Sequence, residues 1–442
     1  KTKSAYEILT RKVEKETADE IRKFVNGQID EEGREVPEGE QRTLTGVHLY
    51  PDSKRYYPYN AMAANVLGFV NIDNEGGVGL EAKYDDDLSG TAGMTVSAKN
   101  NKGQPLLFQY EQYFDAENGS DLVLTLDINV QIALEKGMES MLSKFDAANG
   151  GTGIVMKVDS GAILGMASYP NYDSNQSGVL YEGNEKLKSK LEKQLEEIEK
   201  NRDQYEAQDA AKAAARAEAG VEEPEEEISS YEAAVAKAKT DTLQSQWRNK
   251  CIDSTYEPGS TFKPITLAAA LEEGVINMNT TFDCSGSVMV KGWDKPFNCS
   301  RAAPGHGHQD LKTAVGNSCN PAFIKIGQAV GTSTYYEYLK SFGLMEKTNV
   351  DMIGEVQGIF ANEKNFNSNL VSLASYSFGQ TFNVTPLELI RAQAACINGG
   401  YLYEPYVVEQ VLDNDGSILQ QHEPKCLRQV VSEETSAKVR EC

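Results

Sequence analysis

Tyr256-Glu257-Pro258-Gly259-Ser260-Thr261-Phe262-Lys263-Pro264 is the stretch on which the reading of this chain turns. Pro258-Gly259 signals a turn. The apolar run 265–271 stops at Glu272-Glu273-Gly274 and reads as a buried helix. Ser260 then lies near the helix N-terminus, with Lys263 three residues on. Residues three apart share a helical face, so the hydroxyl and the amine can point into one cleft. A serine becomes a nucleophile when a base takes its proton, and a lysine of lowered pKa can be that base. The helix N-terminus adds backbone N–H donors and a positive dipole end beside a developing oxyanion. S-x-x-K by itself recurs by chance. Its bland reading is a helix-capping serine with a solvated lysine, so the flanking sequence has to decide.

A second element follows at Gly316-Asn317-Ser318-Cys319-Asn320-Pro321. S-x-x-K, then S-x-N, then K-T-G is the motif set of penicillin-binding proteins and class A β-lactamases. Glu257 to Pro264, the run Ser318-Cys319-Asn320-Pro321-Ala322-Phe323, Ser377-Phe378-Gly379-Gln380 and Thr385-Pro386-Leu387-Glu388 together resemble a class B penicillin-binding protein. Within that class the chain is most similar to the elongation, division and sporulation enzymes of Gram-positive bacteria, from about Leu44 onward. No Lys-Thr-Gly or Lys-Ser-Gly follows Asn320. The expectation is a chain that stops short of the third motif and begins after a membrane anchor.

The resemblance implies a peptidoglycan D,D-transpeptidase acting on stem peptides that end in D-Ala-D-Ala. Ser260 would attack the penultimate carbonyl and Lys263 would accept its proton. Ser318 would relay a proton to the leaving amine, and Asn320 would hold the substrate amide. An amine from a neighbouring stem would resolve the ester, and β-lactams would acylate Ser260. No cofactor is required for this chemistry. The implied setting is the extracytoplasmic face of the cell membrane, beside a membrane glycosyltransferase and divisome or elongasome proteins. The missing third motif normally supplies an oxyanion donor, a loss that typically lowers rates by ~10²–10³. The alternatives are a non-catalytic penicillin sensor or divisome scaffold, and a serine β-lactamase.

Bulk composition is consistent with this. The 442 residues suffice for two or more domains. A formal charge of −23 and a pI near 4.7 argue against nucleic acid as a partner. No run of eighteen apolar residues is present, so none of this sequence reads as a membrane span.

The predicted architecture is α+β, a penicillin-binding transpeptidase (serine β-lactamase-like) core of antiparallel sheet flanked by helices. An N-terminal pedestal (dimerisation) domain is expected at 1–110 and the transpeptidase domain at 111–442, with a helical insertion at 182–242. In the pedestal, Ile8, Val13, Ile21 and Phe24 have helical spacing, and 26–41 reads as loop. A short strand is predicted at 44–49 and a helix at 61–70. Gly79-x-Glu81-x-x-Tyr84-x-x-x-Leu88-x-Gly90 resembles a stretch of the family's pedestal. In the second domain, 122–126 alternates as a strand, Asp127 caps a helix over 128–144, and 153–158 with 163–168 forms a hairpin. Leu187, Leu191, Leu195 and Ile198 place a helix in the insertion. A break at 220–224 and a second helix at 228–238 complete a helical hairpin. This arm reads as a solvated face, with a partner-docking arm as the alternative. Helices are predicted from Asn320 through Ala329, at 335–342 and at 387–398. A last hairpin is predicted around 413–416.

Seven cysteines are not a disulfide framework in a chain of this length. Cys284, Cys299, His306 and Cys319 lie between the two motifs and form a candidate structural zinc site, with His308 or Asp294 as a substitute ligand. The spacing is no finger pattern. The competing reading treats Cys284 and Cys319 as small buried hydrophobes and His306 as an ordinary loop histidine.

Overall fold

The structure is a computed structural model that describes residues 7–50, 52–91, 93–97, 111–147, 149–219 and 228–442. The break expected at 220–224 and the domain division expected at 110 lie outside the described residues.

The helix Lys263–Glu272 is the axis of the molecule. Every residue from Ile265 to Leu271 is buried, so the run is apolar on all faces because neighbours cover all of them. It packs against the helices Asn320–Val330, Pro386–Ile397 and Glu433–Glu441. Phe262, Phe323, Phe342, Phe366 and Tyr376 fill the core around it. A second cluster, with Ile163, Met166, Leu387, Val407 and Val411, joins these helices to the sheet.

The sheet is small and in pieces. Among the described residues there is one three-stranded sheet and there are six two-stranded ones, and all named strand pairs are antiparallel. Val408–Leu412 lies between Asp121–Leu124 and Ile418–Gln421, which includes the last predicted hairpin. Gly151–Met156 pairs with Ile163–Tyr169 as expected. Asp127 caps the helix Ile128–Lys144 by accepting from the Asn129 and Val130 N–H groups. Thr385 and Glu388 form a capping box at the start of Pro386–Ile397.

Several local expectations are corrected. Ile8 and Val13 lie outside the first helix, which is Lys15–Val25. No strand forms at 44–49, because Gly46 sits at φ +92 and Leu44 is exposed, which leaves the alternation nothing to pack on. The helix expected at 61–70 is only Ala64–Leu67, followed by the strand Phe69–Val70. The motif residue Glu81 is buried because Arg55 Nε, at 2.7 Å, and the Tyr57 hydroxyl, at 3.1 Å, satisfy its carboxylate.

Among the described residues the insertion has three helices, not two: Glu185–Lys200, Arg202–Ala219 and Ser230–Trp247. The first two divide at Asn201, and the third runs on to Trp247, beyond the expected limit at 242. It starts at a Ser229–Glu232 capping box, and Asp209 accepts from the Ser230 N–H. The base of the arm is closed by Gln246, which is fully buried. Its amide accepts from Asn184 at 2.9 Å and donates to the Val179 carbonyl at 2.9 Å.

Candidate active site

Ser260 lies in a 3₁₀ turn, Gly259–Phe262, that leads directly into the core helix. It is exposed, whereas Lys263, one turn on, is only 4% exposed. The serine makes no capping hydrogen bond and the lysine is not solvated, so the bland reading of the tetrapeptide does not hold. Pro264 occupies the first turn, where its missing N–H has no helical partner to lose.

The turn is clamped from the far side of the sequence. Gly259 N–H donates to the Gly379 carbonyl at 2.8 Å, and Tyr256 pairs with Val384 in both directions at 3.0 Å. Gly379 has φ +86, and a Cβ there would fall 1.9 Å from the Gly259 carbonyl oxygen. Only glycine lets the two backbones approach this closely.

Ser318 and Asn320 arrive on the junction of two helices. The helix Leu311–Gly316 ends with Ser318 N–H donating to Val315 O and Cys319 N–H donating to Ala314 O, at 2.8 and 3.0 Å. This is a Schellman end, in which glycine is usual at the left-handed position. Here Ser318 occupies it at φ +48, a conformation that costs an L-residue roughly 1–2 kcal/mol. The helix Asn320–Val330 starts immediately afterwards.

The four side chains meet at the lysine amine. Lys263 Nζ lies 3.0 Å from Ser260 Oγ, 2.9 Å from Ser318 Oγ, 2.8 Å from the Ser318 carbonyl and 2.8 Å from Asn320 Oδ1. The Phe323 ring lies beneath, 5.3 Å from the amine. Burial holds the Lys263 pKa down at about 8, against a smaller opposing pull from the Cys299 and Cys319 thiols. The amine therefore loses its proton far more readily than a solvated lysine. Asn320 Nδ2 donates to the Asn298 carbonyl at 3.0 Å, which fixes the amide with its oxygen toward the lysine. Motif reasoning misses the roles of Asn298 and Phe323. Phe323 is legible in principle, three residues after Asn320 on one helix; Asn298 carries no signal, because its contact is made by a backbone carbonyl.

Behind this site the four proposed ligands converge. Cys284 Sγ, Cys299 Sγ, Cys319 Sγ and a His306 nitrogen all lie within 4.8 Å of one another. His306 Nδ1 is 3.4 Å from Cys299 Sγ and 3.7 Å from Cys284 Sγ, and Cys299 Sγ is 4.0 Å from Cys319 Sγ. Burial pushes the Cys319 thiol up to about 12. Burial also acts to raise Cys299, but hydrogen bonds from the Arg301 and Asn320 backbone, with those of the Cys284 and Ser300 side chains, together hold that thiol below its ordinary value. His308 is not in the cluster; it pairs with Asp283 at the surface at 2.8 Å. Asp294 is exposed and is not in the cluster either.

Residues 151–442 match the penicillin binding protein transpeptidase domain, and residues 1–124 match the penicillin-binding protein dimerisation domain. Stage V sporulation protein D of Bacillus subtilis is 32% identical over 421 residues, covering 93% of this chain and 55% of that protein. Peptidoglycan D,D-transpeptidase FtsI of Escherichia coli K12 is 24% identical over 369 residues, covering 83% of this chain and 50% of that protein. The chain thus spans about half the length of the curated relatives it matches. The crystal structure of penicillin binding protein 2X from Streptococcus thermophilus shares the fold, with a TM-score of 0.62 at 24% identity, covering 87% of this chain and 48% of that one. That of penicillin binding protein 3 from Mycobacterium tuberculosis, complexed with ampicillin, has a TM-score of 0.62 at 22% identity, covering 88% and 67%. With a pedestal and a transpeptidase domain both matched, this chain belongs to the penicillin-binding protein transpeptidase family.

Proposed function

We propose that this protein is a serine D,D-transpeptidase that crosslinks peptidoglycan stem peptides ending in D-Ala-D-Ala and is acylated by β-lactams. The observation that carries the reading is the buried Lys263 amine within 3.0 Å of Ser260 Oγ and in contact with both Ser318 and Asn320. Ser260 attacks the penultimate carbonyl while Lys263 takes its proton. The proton passes through Ser318 Oγ to the departing D-Ala amine. Asn320, oriented by Asn298, holds the substrate amide. An amine of a second stem then attacks the ester and restores Ser260. Labelling with fluorescent penicillin tests the proposal, with Ser260→Ala as the control.

The same reading divides the chain into a pedestal at 1–110 and a transpeptidase domain at 111–442. The family matches at 1–124 and 151–442 support two domains in this order. It also sets the protein on the outer face of the cell membrane, with a membrane glycosyltransferase and divisome or elongasome proteins as partners. No helix among the described residues is long and apolar enough to cross a membrane. The arm takes no part in the chemistry. Excising residues 186–241 and joining the ends with a short Gly/Ser linker should leave penicillin acylation nearly unchanged. Asn184 and Gln246 already hold the ends together, and loop closure depends only weakly on length. A folded deletion variant that cannot be acylated would show that the arm shapes the site.

Cys284, Cys299, His306 and Cys319 are proposed to hold a structural zinc. Tetrahedral zinc with ordinary bond lengths separates two sulfurs by about 3.8 Å and a sulfur from a nitrogen by about 3.5 Å. The observed 4.0, 3.4 and 3.7 Å fit that geometry. Such an ion would keep all three thiolates deprotonated and brace Cys319, inside the Ser318-x-Asn320 motif, from behind. Protein purified without added metal is expected to carry about one equivalent of zinc, and a strong chelator is expected to lower its melting temperature. Less than about a tenth of an equivalent, or an unchanged melting temperature, removes the metal from this reading.

A further inference from the structure

The chemistry above makes no use of Glu257, which stands three residues before Ser260. The segment that carries both is tied to the segment 379–384 at two points. Tyr256 pairs with Val384, and Gly259 N–H donates to the Gly379 carbonyl. Between these points lie Glu257 and Pro258 on one side and residues 380–383 on the other. The longer side has to turn back on itself to keep both pairings. It does so at Thr381, whose φ is +69.

That conformation is unfavourable for this residue type. A second heavy atom on Cβ crowds the backbone at positive φ, so a β-branched residue is an outlier there. Among the described residues Thr381 is the only β-branched one with positive φ. Backbone held in such a state persists only where its surroundings over-determine it. Two side chains do so here. The Glu257 carboxylate accepts from the Thr381 N–H at 2.9 Å. The Ser375 and Thr381 hydroxyls share a hydrogen bond of 2.5 Å. The next residue carries the consequence. Phe382 is buried, and its ring lies 4.8 Å from that of Phe262, which belongs to the same 3₁₀ turn as Ser260. The Phe382 ring also packs on Tyr376 at 4.6 Å and on Phe360 at 5.0 Å. An acid at the start of the nucleophile's segment thus fixes the reversal that seats Phe382 against its end.

We propose that Glu257 is a positioning residue for acylation: its carboxylate holds Thr381 in the left-handed conformation and so keeps the Gly379 clamp and Phe382 seated on the turn that carries Ser260. The inference rests on the transpeptidase reading, and Glu257 acts through Thr381 rather than on the reacting atoms. It is tested in the protein that carries this chain, with benzylpenicillin as the probe. The dependence of the rate on penicillin concentration separates acylation from the binding that precedes it. Glu257→Ala is expected to lower the maximal acylation rate about tenfold, the scale of a lost charge-assisted hydrogen bond, and to leave the penicillin dissociation constant within about twofold. Glu257→Gln keeps a carbonyl oxygen that accepts from the same N–H, so its rate should stay within about threefold. The decisive variant adds Thr381→Gly. Glycine adopts positive φ without a side-chain penalty and does not need the carboxylate. Thr381→Gly in the Glu257→Ala background is expected to return the rate to within about threefold of the unsubstituted protein, with Thr381→Gly alone closing the double-mutant cycle. Both side chains are exposed, so the melting temperatures should hold. A protein acylated at Ser260 whose rate is unmoved by Glu257→Ala overturns this inference alone. So does a lowered rate that Thr381→Gly does not restore, because the carboxylate then acts by another route. Absence of any adduct at Ser260 in the unsubstituted protein overturns both this inference and the reading beneath it.

Discussion

Ser260→Ala is expected to abolish both the stable penicillin adduct and crosslinking, with no residual labelling above background. The hydroxyl is the one exposed nucleophile against the buried amine, and nothing in the turn can replace it. Ser318 Oγ is also within 2.9 Å of Lys263 Nζ. It is less exposed than Ser260, and the Schellman end fixes its backbone through the Ser318 N–H to Val315 O and Cys319 N–H to Ala314 O bonds. The substitution removes one exposed hydroxyl that caps nothing, so the melting temperature should be unchanged. Peptide mapping by mass spectrometry checks the assignment. An adduct on any serine other than Ser260 would falsify it.

Lys263→Ala should slow acylation by ~10²–10⁴-fold, the usual contribution of a positioned general base. The pH dependence makes the argument specific. The active form is the neutral amine, and burial has lowered its pKa to about 8. Acylation of the unsubstituted enzyme should therefore climb as pH rises through about 8 and level off above it. The stability linkage has the same sign. A lysine with a folded pKa below its unfolded value leaves the unfolded state holding more protons between about 8 and the ordinary lysine value, so stability rises with pH across that window. A flat acylation profile from pH 6 to 9 would remove Lys263 from the role of base. Because the amine also bonds the Ser318 carbonyl and Asn320 Oδ1, the alanine variant should be compared by melting temperature as well. A large drop would mark a positioning role in addition to the proton transfer.

Elements with strong local signals are legible in the sequence. The capped helix Ile128–Lys144, the hairpin around Asp159-Ser160-Gly161 and the Thr385–Glu388 start of Pro386–Ile397 all form as their residues predict. In each case a cap or turn residue stands beside an uninterrupted periodic run, so local and tertiary preferences agree. The predicted strand at 44–49 fails for the converse reason. Its alternation is local, but a strand exists only with a partner, and Gly46 turns the backbone away. The spacing of the insertion marks it as helical. Its division into three helices depends on how Arg202–Ala219 and Glu185–Lys200 each pack against Ser230–Trp247, which periodicity does not express.

Legible from motif spacing are the pair Ser260 and Lys263 and the pair Ser318 and Asn320, together with candidate sulfur and nitrogen ligands among which His306 and His308 stay open. Spacing within each motif is a local property, set by 3.6 residues per turn and by the chemistry of each side chain. Only the tertiary structure decided that the two pairs, 55 residues apart from Lys263 to Ser318, meet at one amine. It also decided that the lysine is buried and holds its proton weakly, and that Gly379 clamps the turn from more than a hundred residues away. The same holds for the choice of His306 over His308. Register on the strand Gly307–Asp310 places His308 opposite Asp283 at the surface, while His306, just before the strand, faces the thiols. Such choices come from loop closure and from burial against distant chain, and no window of sequence contains either.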